Sequence, residues 1–447
     1  MAIKPHLVQL WGMVGSLRHQ LKNLPGAIDA LEKALGCDPD NVGHMVNLGE
    51  FKRQSGDVES AIVLLEKATI NAPDNAGVWT NLGTAFQQAQ RIPEAKAAYE
   101  KALRIVPEQA EVASNLGVLA KDEGNWEEAL RYFNQALKHQ PTSVAILVNR
   151  AAALNALEQY DEAEVSYRRA LEIRPDYAEA YCNLGNILKE LTLLDEAESS
   201  YRRALEIKPY LAEAHSNLGI LLQDMGRLDE AETSCRRALE IKPDYAEAHS
   251  NLGGILKDIG RLDEAEVSYR RALEIKPNYA EAHNNLGDLL GYIGDLEQEI
   301  SAYKEAFNIA PQNIGLSAVV MLAVHCYLKG DFSGCRSLLS ISQLILTKSA
   351  KFATPRAYWN LLDLLLVWHQ KENVVAVTSN EIETIHVIGE SHSLPAHGAV
   401  VSFRGKPMLC AAQWIVGCKQ WHLGNGKANK FRYKFEASYR RNRLSVW

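Results

Sequence analysis

The chain has 447 residues, more than one compact core usually holds, and a formal net charge of −7 from 48 Lys and Arg against 55 Asp and Glu. Apolar residues make up 47% of it, the composition of a soluble protein with enough material for a core. The seven cysteines, Cys37, Cys182, Cys235, Cys326, Cys335, Cys410 and Cys418, are scattered and form no CxxC pair. That argues against a disulfide framework or a zinc site and fits a reducing compartment, so no metal and no cofactor is expected.

Residues 1–7 read as a short leader. They have an early lysine but no long apolar run and no small-residue cleavage site, so a secretory signal is not expected. The main apolar clusters, 316–328 and 361–368, are too short to span a bilayer, and the second contains Asp363. The expected location is cytoplasmic, without a membrane partner.

From residue 8 to residue 313 the chain repeats every 34 residues without a gap, with units starting at Val8, Val42, Ala76, Ala110, Val144, Ala178, Ala212, Ala246 and Ala280. The unit from Ala212 shows the pattern: His215, Leu218, Gly219, Leu222, Ala231, Cys235, Ala238, Leu239 and Pro243 stand at positions 4, 7, 8, 11, 20, 24, 27, 28 and 32. Leu218 and Leu222 share one face of a first helix, and Ala231, Cys235, Ala238 and Leu239 share one face of a second. Gly219 inside a helix costs about 1 kcal/mol relative to Ala and is tolerated where a neighbouring backbone comes close. Proline closes all nine units, at Pro39, Pro73, Pro107, Pro141, Pro175, Pro209, Pro243, Pro277 and Pro311; it lacks the N–H and restricts the residue before it. Alanine holds position 20 in eight units, and Glu299 replaces it in the ninth. Asp244 with Glu247, and Asp229 with Glu232, have the spacing of capping boxes. One helix pair cannot bury both of its apolar faces, so neighbours must stack.

This period and pattern resemble the tetratricopeptide repeat. The resemblance implies an all-α, right-handed superhelix, an α-solenoid, that holds another polypeptide. It covers 8–313; the first unit is looser, with Trp11 and Leu31 at its large apolar positions. Residues 314–373 read as a divergent helical cap. In 374–447 the texture changes to a truncated, α/β-like segment with a basic tail.

Three constellations stand out. Asparagine holds position 6 in eight consecutive units: Asn47, Asn81, Asn115, Asn149, Asn183, Asn217, Asn251 and Asn285. A carboxamide donates and accepts, so a ladder of them can pair with the N–H and C=O of an extended peptide in the concave groove. The row resembles the repeat domain of the O-linked N-acetylglucosamine transferases, which grip substrate proteins this way; the same residues can instead bond between neighbouring helices. The second is the acidic row at position 2, Glu111, Glu179, Glu213, Glu247 and Glu281. It serves either as a lure for basic ligands or as charge at helix N-termini, and it argues against a clamp for a ligand's C-terminal carboxylate.

The third is Ser391. The β-branched run 385–388 leads into Gly389, Glu390 and Ser391, which resembles the first block of SGNH/GDSL-type hydrolases, where the serine is the nucleophile and Glu390 stands in the usual place of Asp. That family needs a late Asp and His. The chain has no aspartate after Asp363, and His392, His397 and His422 follow no Asp-x-x pattern. From 391 to 447 there are ten Lys or Arg and one acid, Glu436. In 427–443 aromatic residues interleave with these cations, a pattern that can stack single-stranded nucleic acid, but an exposed end of a truncated domain is the expectation and nucleic acid is not an expected partner. The function read from the sequence is a scaffold holding an extended polypeptide in the concave groove. Its alternatives are a truncated SGNH-type esterase or acyltransferase with a substrate-recruiting repeat domain, and a substrate-presenting relative of the O-linked N-acetylglucosamine transferases without a catalytic domain. The oligomeric state is left open.

Overall fold

The computed structural model describes residues 5–310, isolated helical residues between 318 and 326, the segment 331–346, and strands at 385–386, 400–403 and 406–411. Ser391, Gly389, Glu390, Pro311, the stretch 347–384 and the basic tail lie outside the described residues.

The repeats form helix pairs in register with the 34-residue period. The first unit contributes α1 (Pro5–Gln20) and α2 (Leu24–Cys37), followed by α3 (Val42–Gln54) and α4 (Val58–Asn71), α5 (Ala76–Gln88) and α6 (Ile92–Ile105). Then come α7 (Ala110–Asp122) and α8 (Trp126–His139), α9 (Val144–Ala156) and α10 (Tyr160–Ile173), α11 (Ala178–Glu190) and α12 (Leu194–Ile207). The last three pairs are α13 (Ala212–Asp224) and α14 (Leu228–Ile241), α15 (Ala246–Ile259) and α16 (Leu262–Ile275), α17 (Ala280–Ile293) and α18 (Leu296–Ile309). The chain divides into two compact units, Met1–Pro209 and Tyr210–Trp447. The first holds six repeats; the second holds three, together with α19 (Phe332–Leu346) and a small sheet.

The sheet has the order β1 (Ile385–His386), β3 (Lys406–Ala411), β2 (Val400–Phe403). β1 runs parallel to β3, and β2 pairs antiparallel with β3 in a register that sets Val400 opposite Leu409 and Phe403 opposite Lys406. β1 thus holds the first two residues of the β-branched run 385–388; the other two lie outside the described residues.

Within each pair the two helices meet through their smallest side chains. The position-20 alanines Ala27, Ala61, Ala95, Ala129, Ala163, Ala197, Ala231 and Ala265 are all 0% exposed, as are the position-27 alanines from Ala34 to Ala306. Glycine at position 8 receives the position-24 side chain. A Cβ on Gly83, Gly185 or Gly287 would lie 2.6 Å from the ring of Tyr99, Tyr201 or Tyr303, and on Gly117 the same distance from Phe133. The absent methyl lets these rings seat fully: Tyr99 and Phe133 are 0% exposed, Tyr201 1%. Burying a ring of this size is worth roughly 1.5–3 kcal/mol, which outweighs the cost of about 1 kcal/mol for helical glycine.

Both turns of the repeat have a local cause. Each second helix ends two residues before proline, and the residue between has left the helical region, with φ, ψ of −134°, 88° at Lys242 and −131°, 87° at Arg174, as a following proline disfavours helical backbone. The turn between first and second helix passes through the left-handed region at position 15 in all nine repeats. Glycine holds that place five times, at Gly56, Gly124, Gly226, Gly260 and Gly294; Lys22, Gln90, Glu158 and Thr192 hold it with φ of 58°, 59°, 58° and 62°.

The expected capping boxes do not form. Helix α14 begins at Leu228 with Arg227 as its cap, which places Asp229 inside the first turn, and α15 is capped by Tyr245 with no side-chain bond. The turn through position 15 starts the second helix too early for Asp229 to cap it. Its charge acts on the helix N-terminus instead, and Arg227 fastens the turn by an ion pair of 2.6 Å to Glu230.

Thr192 is the costliest of the left-handed residues because its branched Cβ crowds the backbone. Thr192→Gly is expected to stabilise the first unit by about 1 kcal/mol, read as a higher thermal midpoint by circular dichroism. An unchanged or lower midpoint would show that the turn carries no strain.

Candidate peptide-binding face

First helices of successive repeats touch one another directly: α3 with α5 and α7 with α9 in the first unit, α13 with α15 and α15 with α17 in the second. The row of first helices is thus a closely packed side in each unit, and the position-6 asparagines lie along it.

Asn47 is exposed, and Asn81, Asn115, Asn149, Asn183, Asn217, Asn251 and Asn285 are half-buried. The row faces the repeat before it. Asn251 Nδ2 donates to Ser216 Oγ at 3.0 Å, while its Oδ1 makes no bond among the described residues. Asn115 stands near Tyr99, and Asn183 near Tyr167, whose hydroxyl burial pushes up to about 12. The row therefore ties neighbouring repeats together as well as lining their surface.

Position 9, which the sequence reading passed over, completes the face. It pairs with the position-24 tyrosine of its own repeat: Thr84 with Tyr99 at 3.1 Å, Asn186 accepting from Tyr201 at 2.7 Å, and Asp288 accepting from Tyr303 at 2.7 Å. Each couple is fifteen residues apart, so the signal was a polar residue one place after the position-8 glycine. Position 12 was also missed; it carries Arg53, Lys121, Lys189 and Lys257. Arg53 is engaged by Glu50 at 2.6 Å and Gln88 at 2.8 Å.

The acidic row sits in the first turns of α7, α11, α13, α15 and α17. Glu179 binds Lys208 at 2.8 Å and Glu247 binds Lys276 at 2.9 Å, each lysine coming from the end of the same repeat. These lysines hold both carboxyls below the usual range. At position 4, Trp79, His249 and His283 turn their ring N–H to the carbonyls of Pro73, Pro243 and Pro277 at 2.8, 3.0 and 3.0 Å. Those histidines fasten loops, and among the described residues no three His, Cys, Asp or Glu side chains gather as metal ligands.

The second helices present a different surface. Arg168 pairs with Glu164, Arg236 with Glu232, Arg270 with Glu266 and Arg271 with Glu274, at 2.6 to 2.8 Å. Such exposed pairs stabilise by at most about 1 kcal/mol each, but they cancel one another's charge. Among the described residues no helix is long and apolar enough to cross a membrane.

These features define a solenoid of helix pairs with a polar row along its first helices. Residues 4–218 match the family described as the C-terminal domain of cilia and flagella-associated protein 70, and 210–278 and 244–312 match the tetratricopeptide repeat. The chain carries tetratricopeptide repeats, and its fold is a tetratricopeptide-like helical solenoid. Similar solved structures include MamA, at 22% identity and a TM-score of 0.36 over 39% of this chain and 96% of that one. Another is YrrB, a TPR protein with an unusual peptide-binding site, at 24% identity and a TM-score of 0.35 over 42% of this chain and 96% of that one. No curated protein matches the chain.

One site between the paired helices departs from its counterparts. Glu299 takes the place of the position-20 alanine and is 2% exposed. It fits because position 12 is Gly291 here, where a Cβ would lie 2.6 Å from Glu299 Oε1. That oxygen has no hydrogen-bond partner among the described residues. Burial, and then the carboxylate of Asp288, push Glu299 up to about 7. Its folded pKa lies above its unfolded value of 4.5, so the folded state keeps a proton that the unfolded state releases. Stability therefore falls as pH rises from about 4.5 to 7, by up to about 3 kcal/mol at full ionisation. Glu299→Gln is expected to remove this slope, so that the variant gains on the wild type between pH 5 and pH 8 in parallel urea titrations. Parallel curves at both pH values would show that Glu299 is solvated.

Proposed function

We propose that the chain is a protein-interaction scaffold that receives an extended polypeptide on its rows of first helices, with the position-6 asparagines bonding the ligand's backbone. The observation that carries this reading is Asn251. Its amide nitrogen is held by Ser216 at 3.0 Å, which orients the side chain and leaves its carbonyl oxygen to accept from a peptide N–H. A preoriented acceptor loses little freedom on binding. The pairing of charge on the second helices supports the same assignment, since it leaves the Asn251 oxygen as an acceptor on the first-helix row. A backbone-directed ladder, as in the repeats of the O-linked N-acetylglucosamine transferases, would bind with little regard to ligand sequence.

The test is fluorescence anisotropy of the full chain with three short unstructured peptides, one acidic, one basic and one neutral. Wild type is expected to bind all three. Asn217→Ala, Asn251→Ala and Asn285→Ala combined are expected to weaken each by about tenfold with helicity unchanged. Equal affinity in the triple variant, or a lower thermal midpoint with no change in affinity, would assign the asparagines to packing between repeats alone.

A further inference from the structure

Helix α1 is apolar on two sides. One side packs into the first repeat, where Val8 is 6% exposed. The other carries Leu7, Leu10, Met13, Leu17 and, just past the helix, Leu21, which are 43%, 56%, 71%, 57% and 71% exposed. Steps of three and four residues put them on one stripe. An apolar stripe this long is unusual on a surface open to water.

The repeat frame shows what kind of surface it is. Leu10 and Leu17 hold positions 3 and 10. In the next repeats these positions are covered: Val78, Val112 and Ile146 at position 3 are 1%, 1% and 3% exposed, and Phe51, Leu119 and Ile187 at position 10 are 8%, 2% and 1% exposed. Their cover is the preceding repeat. Val78 clusters with Met45 and Ala68, and Phe51 with Ala27 and Leu31. Leu10 and Leu17 thus offer a repeat-stacking face on which no described helix lies.

We infer that two copies of the chain associate through this face, α1 against α1, antiparallel about a two-fold axis. The stripe is self-complementary: Leu10 and Leu17 are equidistant from the Met13–Val14 midpoint, so a two-fold there sets Leu10 of one copy against Leu17 of the other. Charge does not oppose the contact. α1 has no acidic residue, its Arg18 is drawn aside to Gly26 O at 2.8 Å and Asp29 at 3.4 Å, and His19 is stacked on Phe51. The five side chains expose roughly 500 Å² on each copy, so the pair would bury about 1,000 Å², the lower bound for a specific interface. The dimer is therefore weak and reversible.

Sedimentation equilibrium of the full chain over a concentration series tests this. The expected result is a monomer–dimer equilibrium rising from 49.7 kDa toward twice that mass, and loss of the dimer in Leu10→Glu/Leu17→Glu with unchanged helicity. Met13→Cys, beside the axis, is expected to yield a disulfide-linked dimer on mild oxidation that wild type does not form, a readout that stands even if the double variant loses helicity. A chain monomeric at every concentration would leave the stripe to a partner of another sequence and overturn the proposal. A dimer that persists in the double variant, with no cross-link through Met13→Cys, would overturn it too.

Discussion

The structure depends on how closely two helices approach within one repeat. Alanine at positions 20 and 27 and glycine at position 8 remove the side-chain bulk between them, and a ring or branched chain at position 24 fills the remaining space. Close packing of this kind leaves little room for a different volume, so changes in one residue are matched by another. Ala151 replaces glycine in the fifth repeat, and there Tyr167 stands beside Asn183 of the next repeat. Glu299 replaces alanine in the ninth, and Gly291 stands where its carboxyl needs space.

Stacking follows from that approach. A pair held by small residues still exposes apolar side chains at positions 3 and 10, and the preceding pair covers them. The first helices then run side by side and hold their position-6 asparagines in a row. The same geometry explains how one polar residue joins two repeats: Asn251 spans to Ser216 with its nitrogen, and its oxygen makes no bond among the described residues. It also explains why the uncovered face of α1 is apolar, since Leu10 and Leu17 occupy stacking positions.

Much of the fold was legible in the residues because the repeat is printed nine times. The 34-residue period, the proline after each second helix and the alanine at position 20 mark helix, break and contact. The small-residue turn at position 15 was equally visible, with glycine in five of nine repeats, but four other residues hide it by adopting the left-handed conformation against their preference. The capping spacing misled because the position-15 turn starts the helix before Asp229. In the candidate site the asparagine row was legible and its bonding was not. The pairing of position 9 with position 24 requires knowing that the two helices of a hairpin bring residues fifteen apart into contact.

The sequence by itself determined the repeat, its boundaries and the residues that face the neighbouring helix, because these follow from local periodicity and from backbone limits on proline and glycine. Only the tertiary structure decided that the Asn251 nitrogen is held by Ser216, that Glu299 is buried beside Asp288, and that the stripe on α1 is exposed. These depend on distances between helices, which no residue specifies alone.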